Sequence, residues 1–171
     1  MIVSLNQLEH VLAPWQSAYS NSKLLSTLVA GAHLVALLFG GGYAVAADRF
    51  TLRALRAGGA ERARQLAELH AVHRPVLIAL AISFLSGVLL AAADVKTFAT
   101  SPAFWVKLAF VGLLMVNGAI LTALETALRK PQPQPVDAPS PLWARLRVFT
   151  ISSVALWTAT LIAGVVLQNA S

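Results

Sequence analysis

The stretch "LLSTLVAGAHLVALLFGGGYAVAA", residues 24–47, decides the fold. It carries no acidic or basic side chain other than one histidine. As an α-helix rising about 1.5 Å per residue, a run of this length crosses a hydrocarbon core of about 30 Å. Three further blocks of the same kind follow at residues 75–93, 103–124 and 148–168. The chain is 57% hydrophobic and 12% charged, against roughly 25% charged in a soluble domain. Its mean hydropathy is +0.70. The expected fold is therefore all-α: an integral membrane four-helix up-down bundle, formed by residues 1–171 as a single transmembrane domain.

The charges outside the spans set topology. Arg49, Arg53, Arg56, Arg62, Arg64 and Arg74 fall between the first and second spans, and Arg129, Lys130, Arg145 and Arg147 between the third and fourth. The other side has Lys23 and Lys96, with Lys107 inside the third span. By the positive-inside rule both basic loops, 48–74 and 129–147, are cytoplasmic and both termini are outside. A net charge of +6 arranged this way is directed at anionic headgroups of the bilayer and not at nucleic acid. The expected location is a membrane whose cytoplasmic face carries both basic loops.

Residues 1–22 repeat Leu5, Leu8, Val11, Leu12 and Trp15 at helical spacing, with Asn6, Gln7, Glu9 and His10 between them. This predicts an outer interfacial helix, with Trp15 and Tyr19 at headgroup level. The segment is too polar and interrupted for the apolar region of a cleavable signal peptide. The first basic loop also has a helical pattern. Arg49, Arg53 and Arg56 share a face, Gly58-Gly59 breaks the run, and a second amphipathic helix follows to Arg74. Pro75 suits either the start of the second span or a kink in a continuous helix. The second loop, "KPQPQPVDAPSP", is proline-rich and expected to be extended. The outer loop "DVKTFATSP" is so short that spans two and three are expected to be antiparallel neighbours.

Lipid offers no hydrophobic drive between helices, so small residues mark the contacts. Each span has a stripe at four-residue spacing: Ala36, Gly40, Ala44; Ala79, Ser83, Gly87, Ala91; Ala119, Ala123, Ala127; and Ala155, Ala159, Ala163. At about 100° per residue His33 falls on the first stripe, so it points into the bundle. An ionisable group there is costly and marks either a functional site or an imidazole bonded to a Ser, a Thr or a carbonyl across the interface. The neighbouring "GGG" suits a planar group lying against the helix, or tight helix packing. Lys107 lies about a turn below the outer end of its span, where it is a site residue or snorkels to the headgroups. Asn117 is read as an interhelical hydrogen-bonder.

The chain has no cysteine and two methionines. Disulfides, thiolate metal sites, iron–sulfur clusters and a Met-rich copper relay are excluded. His70 and His73 stand three residues apart on one helical face and could share a metal, although no further ligand accompanies them. His33 and His73 differ in depth by roughly 20 Å at 1.5 Å per residue, so the two cannot clamp one haem iron. If His33 binds haem, it does so alone, with Lys107 or with a small ligand.

The first span, "AHLVALLFGGGYAVAADRF", resembles two related bacterial membrane families, the copper-resistance D (CopD-type) domain and the HemJ-type protoporphyrinogen oxidase. The stretch "SFLSGVLLAAADVKTFATSPAFWVKLAFVGLLMVNGAIL" resembles their second and third spans, with a Ser-Gly-aliphatic run and an aromatic-x-x-Lys-Leu opening. The likeness covers about residues 30–125. It implies haem b bound by His33, with Lys107 as second ligand or propionate partner, and redox chemistry at the quinone or porphyrin level. The copper family implies copper uptake instead. The chain departs from both in its lack of Cys and its long Arg-rich first loop. The alternative to a haem-dependent oxidoreductase is a non-enzymatic accessory or scaffold subunit of a larger membrane complex or homo-oligomer.

Overall fold

Where the apolar blocks end, the helices do not. In the computed structural model, residues 5–130 and 141–170 are described, apart from the side chains of 5, 6, 70, 71, 73, 74 and 168–170. They form six helices and no strand: α1 (Leu5–Asn21), α2 (Lys23–Ala57), α3 (Gly59–Ala93), α4 (Val95–Thr100), α5 (Pro102–Arg129) and α6 (Pro141–Ala170). Four of these, α2, α3 from Pro75, α5 and α6, are long and apolar enough to cross a membrane. The chain is a multi-pass, all-helical membrane protein.

Local chemistry sets the helix ends. Ser22 caps α2, its hydroxyl accepting from the Leu25 amide at 3.3 Å. Asp94 does the same for α4 through Thr97, and Pro102 opens α5 at its first turn. Between α2 and α3 a single residue, Gly58, makes the turn with φ 113 and ψ −169, a region almost closed to residues with a Cβ. The basic loop, expected as two helical stretches broken at Gly58-Gly59, is thus the tip of a long helical hairpin, and of the two alternatives for Pro75 the structure has it inside a continuous α3. The basic face of α2 is exposed at Arg49, Arg53 and Arg56, while Ala47, Thr51 and Ala54 are buried opposite. Similarly, α6 begins at Pro141, so Arg145 and Arg147 stand on a helix. The proline-rich stretch 131–140 lies outside the described residues.

The described hydrophobic core gathers at the end of the molecule that bears this hairpin tip. Ala47, Leu66, Leu69, Leu124, Leu128 and Leu146 form it, drawn from α2, α3, α5 and α6. Arg129 of α5 donates to the Leu66 carbonyl of α3 at the same end. Elsewhere the spans pair selectively: α2 packs on α3, α5 on α6, and α2 on α6. Spans two and three, expected as neighbours, do not pack along their length. The small residues of α3 already face α2, and the rest of its surface presents Leu77, Ile78, Phe84, Leu85 and Val88 outward.

Two of the four small-residue stripes are at helix contacts as expected. A Cβ on Gly40 would stand 2.9 Å from the Ala79 Cβ, so α2 and α3 touch at backbone distance there. The stripe on α5 is displaced: Ala119 and Ala123 are exposed, and the helix buries Leu114, Asn117, Leu124, Glu125 and Leu128. On α6 the buried face is Leu146, Thr150, Ser153, Trp157, Thr160, Ala163 and Leu167, so only Ala163 of its stripe is buried. Polar hydroxyls and an indole fill this seam, and each Thr there bonds its own helix, as Thr150 does to the Leu146 carbonyl at 2.7 Å. At the opposite end α1 lies on α3, with the Trp15 indole donating to the Leu89 carbonyl at 2.9 Å.

Candidate functional site

His33 faces α3, where the absence of a side chain at Gly87 makes room for its ring. A Cβ at Gly87 would come within 3.1 Å of the imidazole Cε1. The ring Nδ1 is 2.9 Å from the Ser83 carbonyl and 3.1 Å from the Ser86 hydroxyl. A carbonyl only accepts, so Nδ1 carries the hydrogen. Ser86 directs its own hydrogen to the Ile82 carbonyl at 2.6 Å and to the Ser83 carbonyl at 3.1 Å, which leaves its oxygen to accept from His33. In the neutral ring the lone pair is then on Nε2.

Lys107, from α5, reaches toward α6. Its Nζ lies 3.6 Å from where a Cβ on Gly164 would be. His33 and Lys107 are near enough to interact electrostatically. The two residues singled out from sequence therefore share one region, although α2 and α5 make no extended contact. The glycines after His33 serve helix contact: Gly40 meets Ala79, and Gly41 lies against the Trp157 ring at 3.1 Å from Cε3. Gly42 has nothing within 4 Å of a built Cβ. The planar group beside the glycines is thus an indole of α6.

The side chains of His70 and His73 lie outside the described residues. Their helix positions keep them away from His33, because His73 precedes Gly87 on α3 by about 21 Å at 1.5 Å per residue. Among the described residues no group of three or more His, Asp or Glu side chains gathers as metal ligands. For a haem, the donor chemistry is present in His33: a neutral imidazole whose Nδ1–H is held by a carbonyl, the arrangement that orients histidine ligands. A cation stands nearby in Lys107. A shallow surface depression lined by Thr51, Arg62, Gln65, Trp143 and Leu146 among others lies at the far end of α2 and does not adjoin His33; it encloses no room for a ligand.

A second polar centre was not anticipated from sequence. Asp48 of α2 and Glu125 of α5 are 8% and 7% exposed. Ser153 of α6, 5% exposed, hydrogen-bonds Asp48, and Glu125 acts on it electrostatically. The signal available was position: Asp48 closes the first apolar block, and it reads as part of a basic loop only if the helix is assumed to end there. Asn117 does bond between helices, its Nδ2 donating to the Phe149 carbonyl at 3.1 Å. The chain matches no family model, no curated protein and no solved structure.

Proposed function

We propose that this is a haem b-binding redox protein of the bacterial inner membrane, with both termini outside, akin to the CopD-type and HemJ-type families. In this reading the spans form an up-down bundle, α1 lies at the outer interface, and the basic hairpin tip meets anionic headgroups on the cytoplasmic side. The observation that carries the ligand assignment is the Nδ1 contact of His33 with the Ser83 carbonyl at 2.9 Å. It fixes the ring and leaves Nε2 as the free donor, with Lys107 close by. His33 would hold the iron and Lys107 a second position or a propionate. The haem would supply one-electron exchange with a quinone-level or porphyrin-level partner. The protein purified in detergent should show a Soret band that His33→Ala abolishes. Its absence, or its persistence in that variant, overturns the reading.

The alternative, an accessory subunit of a larger membrane complex, is favoured by a different aspect of the same geometry. Both the Ser83 and Ser86 contacts and the close fit over Gly87 are what a purely structural interhelical imidazole needs. Copurification with a larger complex in fixed ratio, without pigment in this chain, would select it.

A further inference from the structure

Beyond their apolar blocks α2 and α6 expose Arg49, Arg53, Arg56, Arg145 and Arg147, and the one acidic residue on either helix, Asp48, is buried. Other guanidiniums at this end are occupied. Arg64 pairs with Glu68 at 3.0 Å, Arg62 donates to the Leu55 carbonyl at 2.9 Å, and Arg129 donates to the Leu66 carbonyl. Among the described residues Arg49, Arg53, Arg56 and Arg147 form no ion pair or hydrogen bond. Three arginines at i, i+4 and i+7 on one helix face repel one another, so the row gains from an anion outside the chain.

Helix geometry puts Arg147 on the flank of that row. Asp48 with Ser153, and Gly41 with Trp157, mark where α2 meets α6, and their order makes the two helices antiparallel. At about 100° per residue, Arg49, Arg53 and Arg56 lie about 80–140° round α2 from Asp48. Gly40 and Thr51, which face α3, lie about 60–80° the other way. Arg147 lies about 100° round α6 from its α2-facing line, which for antiparallel right-handed helices is the same flank as the α2 row. Arg145 lies about 100° toward the opposite flank. Beyond the Asp48–Ser153 contact Arg53 is about 7.5 Å along α2 and Arg147 about 9 Å along α6, so the two stand level. Arg147 directly precedes the apolar block of α6, which sets this level at the bilayer edge. Arg49 is a turn nearer the bilayer and Arg56 a turn further out, a spread matching a headgroup layer of about 5–8 Å. On the same face of α2, within about 20° of Arg49 and of Arg53, Gly42 is exposed with nothing within 4 Å of a built Cβ. It leaves a recess in the apolar surface in line with the arginines.

We propose that this flank of α2 and α6 seats one anionic phospholipid. Arg53 and Arg147 hold its phosphate, which guanidinium binds through paired hydrogen bonds. Arg49 and Arg56 flank the phosphate along α2, and an acyl chain lies over Gly42. The seat narrows the headgroup contact proposed above to one face and rests on that reading. It is independent of any ligand at His33, which faces α3.

Native mass spectrometry of the protein, released from an equimolar mixture of phosphatidylglycerol and phosphatidylcholine, tests this. Phosphatidylglycerol should be retained over phosphatidylcholine, and Arg53→Gln and Arg147→Gln should each lower that preference about fivefold. Arg145→Gln and Arg64→Gln remove the same charge from other faces and should leave it unchanged. Gly42→Leu fills the recess and should lower retention of phosphatidylglycerol. All these positions are exposed, so the variants keep the fold. A preference that falls as far in Arg145→Gln as in Arg147→Gln, or that ignores Arg53→Gln and Arg147→Gln, overturns the seat while the wider headgroup contact stands. No preference in the parent protein overturns both.

Discussion

The imidazole of His33 sits over Gly87, with its Cε1 3.1 Å from where a Cβ would be. This contact joins the first and second spans at the same place as the Nδ1 bond to Ser83. The glycine and the histidine form one unit: the bond needs the ring close to α3, and only a missing side chain permits that approach.

Gly87→Ala should therefore destabilise the fold by about 1–3 kcal/mol, the usual cost of overfilling a packed site. Thermal unfolding in detergent, followed by circular dichroism, measures it. Gly112 and Gly118 on α5 have nothing within 4 Å of a built Cβ, so alanine at either should lie within about 0.5 kcal/mol of neutral. Any haem spectrum should change in the first variant and not in the other two.

The two serines beside His33 should differ. Ser83 binds the ring through its carbonyl, so Ser83→Ala keeps the contact. Ser86→Ala removes the hydroxyl acceptor and should cost about 0.6 kcal/mol, within the range of interhelical hydrogen bonds in bilayers. An equal effect of the two alanines in thermal unfolding would show that the ring does not depend on the Ser86 oxygen.

Gly40 and Ala79 offer a test of packing between α2 and α3, since a Cβ on Gly40 would be 2.9 Å from that of Ala79. Gly40→Ala should cost about 1–3 kcal/mol by forcing the helices apart. Adding Ala79→Gly moves the methyl to the other helix and should restore a good part of the loss, a coupling that appears as a non-additive double-mutant cycle. Additive effects in thermal unfolding would place the strain elsewhere.

The spans and the inward aim of His33 were legible because apolar length and helical angle act within one helix. Which helices touch was less so. The Ala36-Gly40 and Ala79-Gly87 stripes lie in contact, whereas Ala119 and Ala123 are exposed and the α6 seam is made of Ser153, Trp157 and Thr160. Alanine is tolerated on a lipid-facing surface as readily as in a seam, so its spacing does not choose between them. The helical pattern of residues 49–56 and its break at Gly58-Gly59 were legible, whereas the continuity of that helix with the first span was not. Asp48 reads as the end of a span, yet the helix continues, because Ala47, Thr51 and Ala54 bury a face against Gln65, Leu66 and Leu69 beyond the apolar block. Glu125 could be placed on its helix, but its burial depends on which helices close over that face of α5.

Gly58 makes the hairpin tip with φ 113 and ψ −169. Gly58→Ala has open space around a Cβ, so its effect is conformational and should cost about 1–3 kcal/mol. Trypsin should then cut faster between Arg56 and Arg62, read by mass spectrometry of the first fragments. Unchanged cleavage there would mean that the tip adopts another turn at little cost.

The proposed orientation can be read directly because the chain has no cysteine of its own. Single cysteines at Thr97, in α4, and at Ala60, just past the Gly58 turn, stand on opposite sides of the spans if α2, α3 and α5 each cross the bilayer. With Arg49, Arg53, Arg56, Arg62 and Arg64 held inside by the positive-inside rule, a membrane-impermeant maleimide added to intact spheroplasts should label Thr97→Cys. It should reach Ala60→Cys only after permeabilisation. Ala60 is exposed and Thr97 is not buried, so both thiols are open to the reagent once it is on their side. The reverse pattern would invert the topology. It would put the basic hairpin tip outside and the His33 level of the spans nearer the cytoplasm.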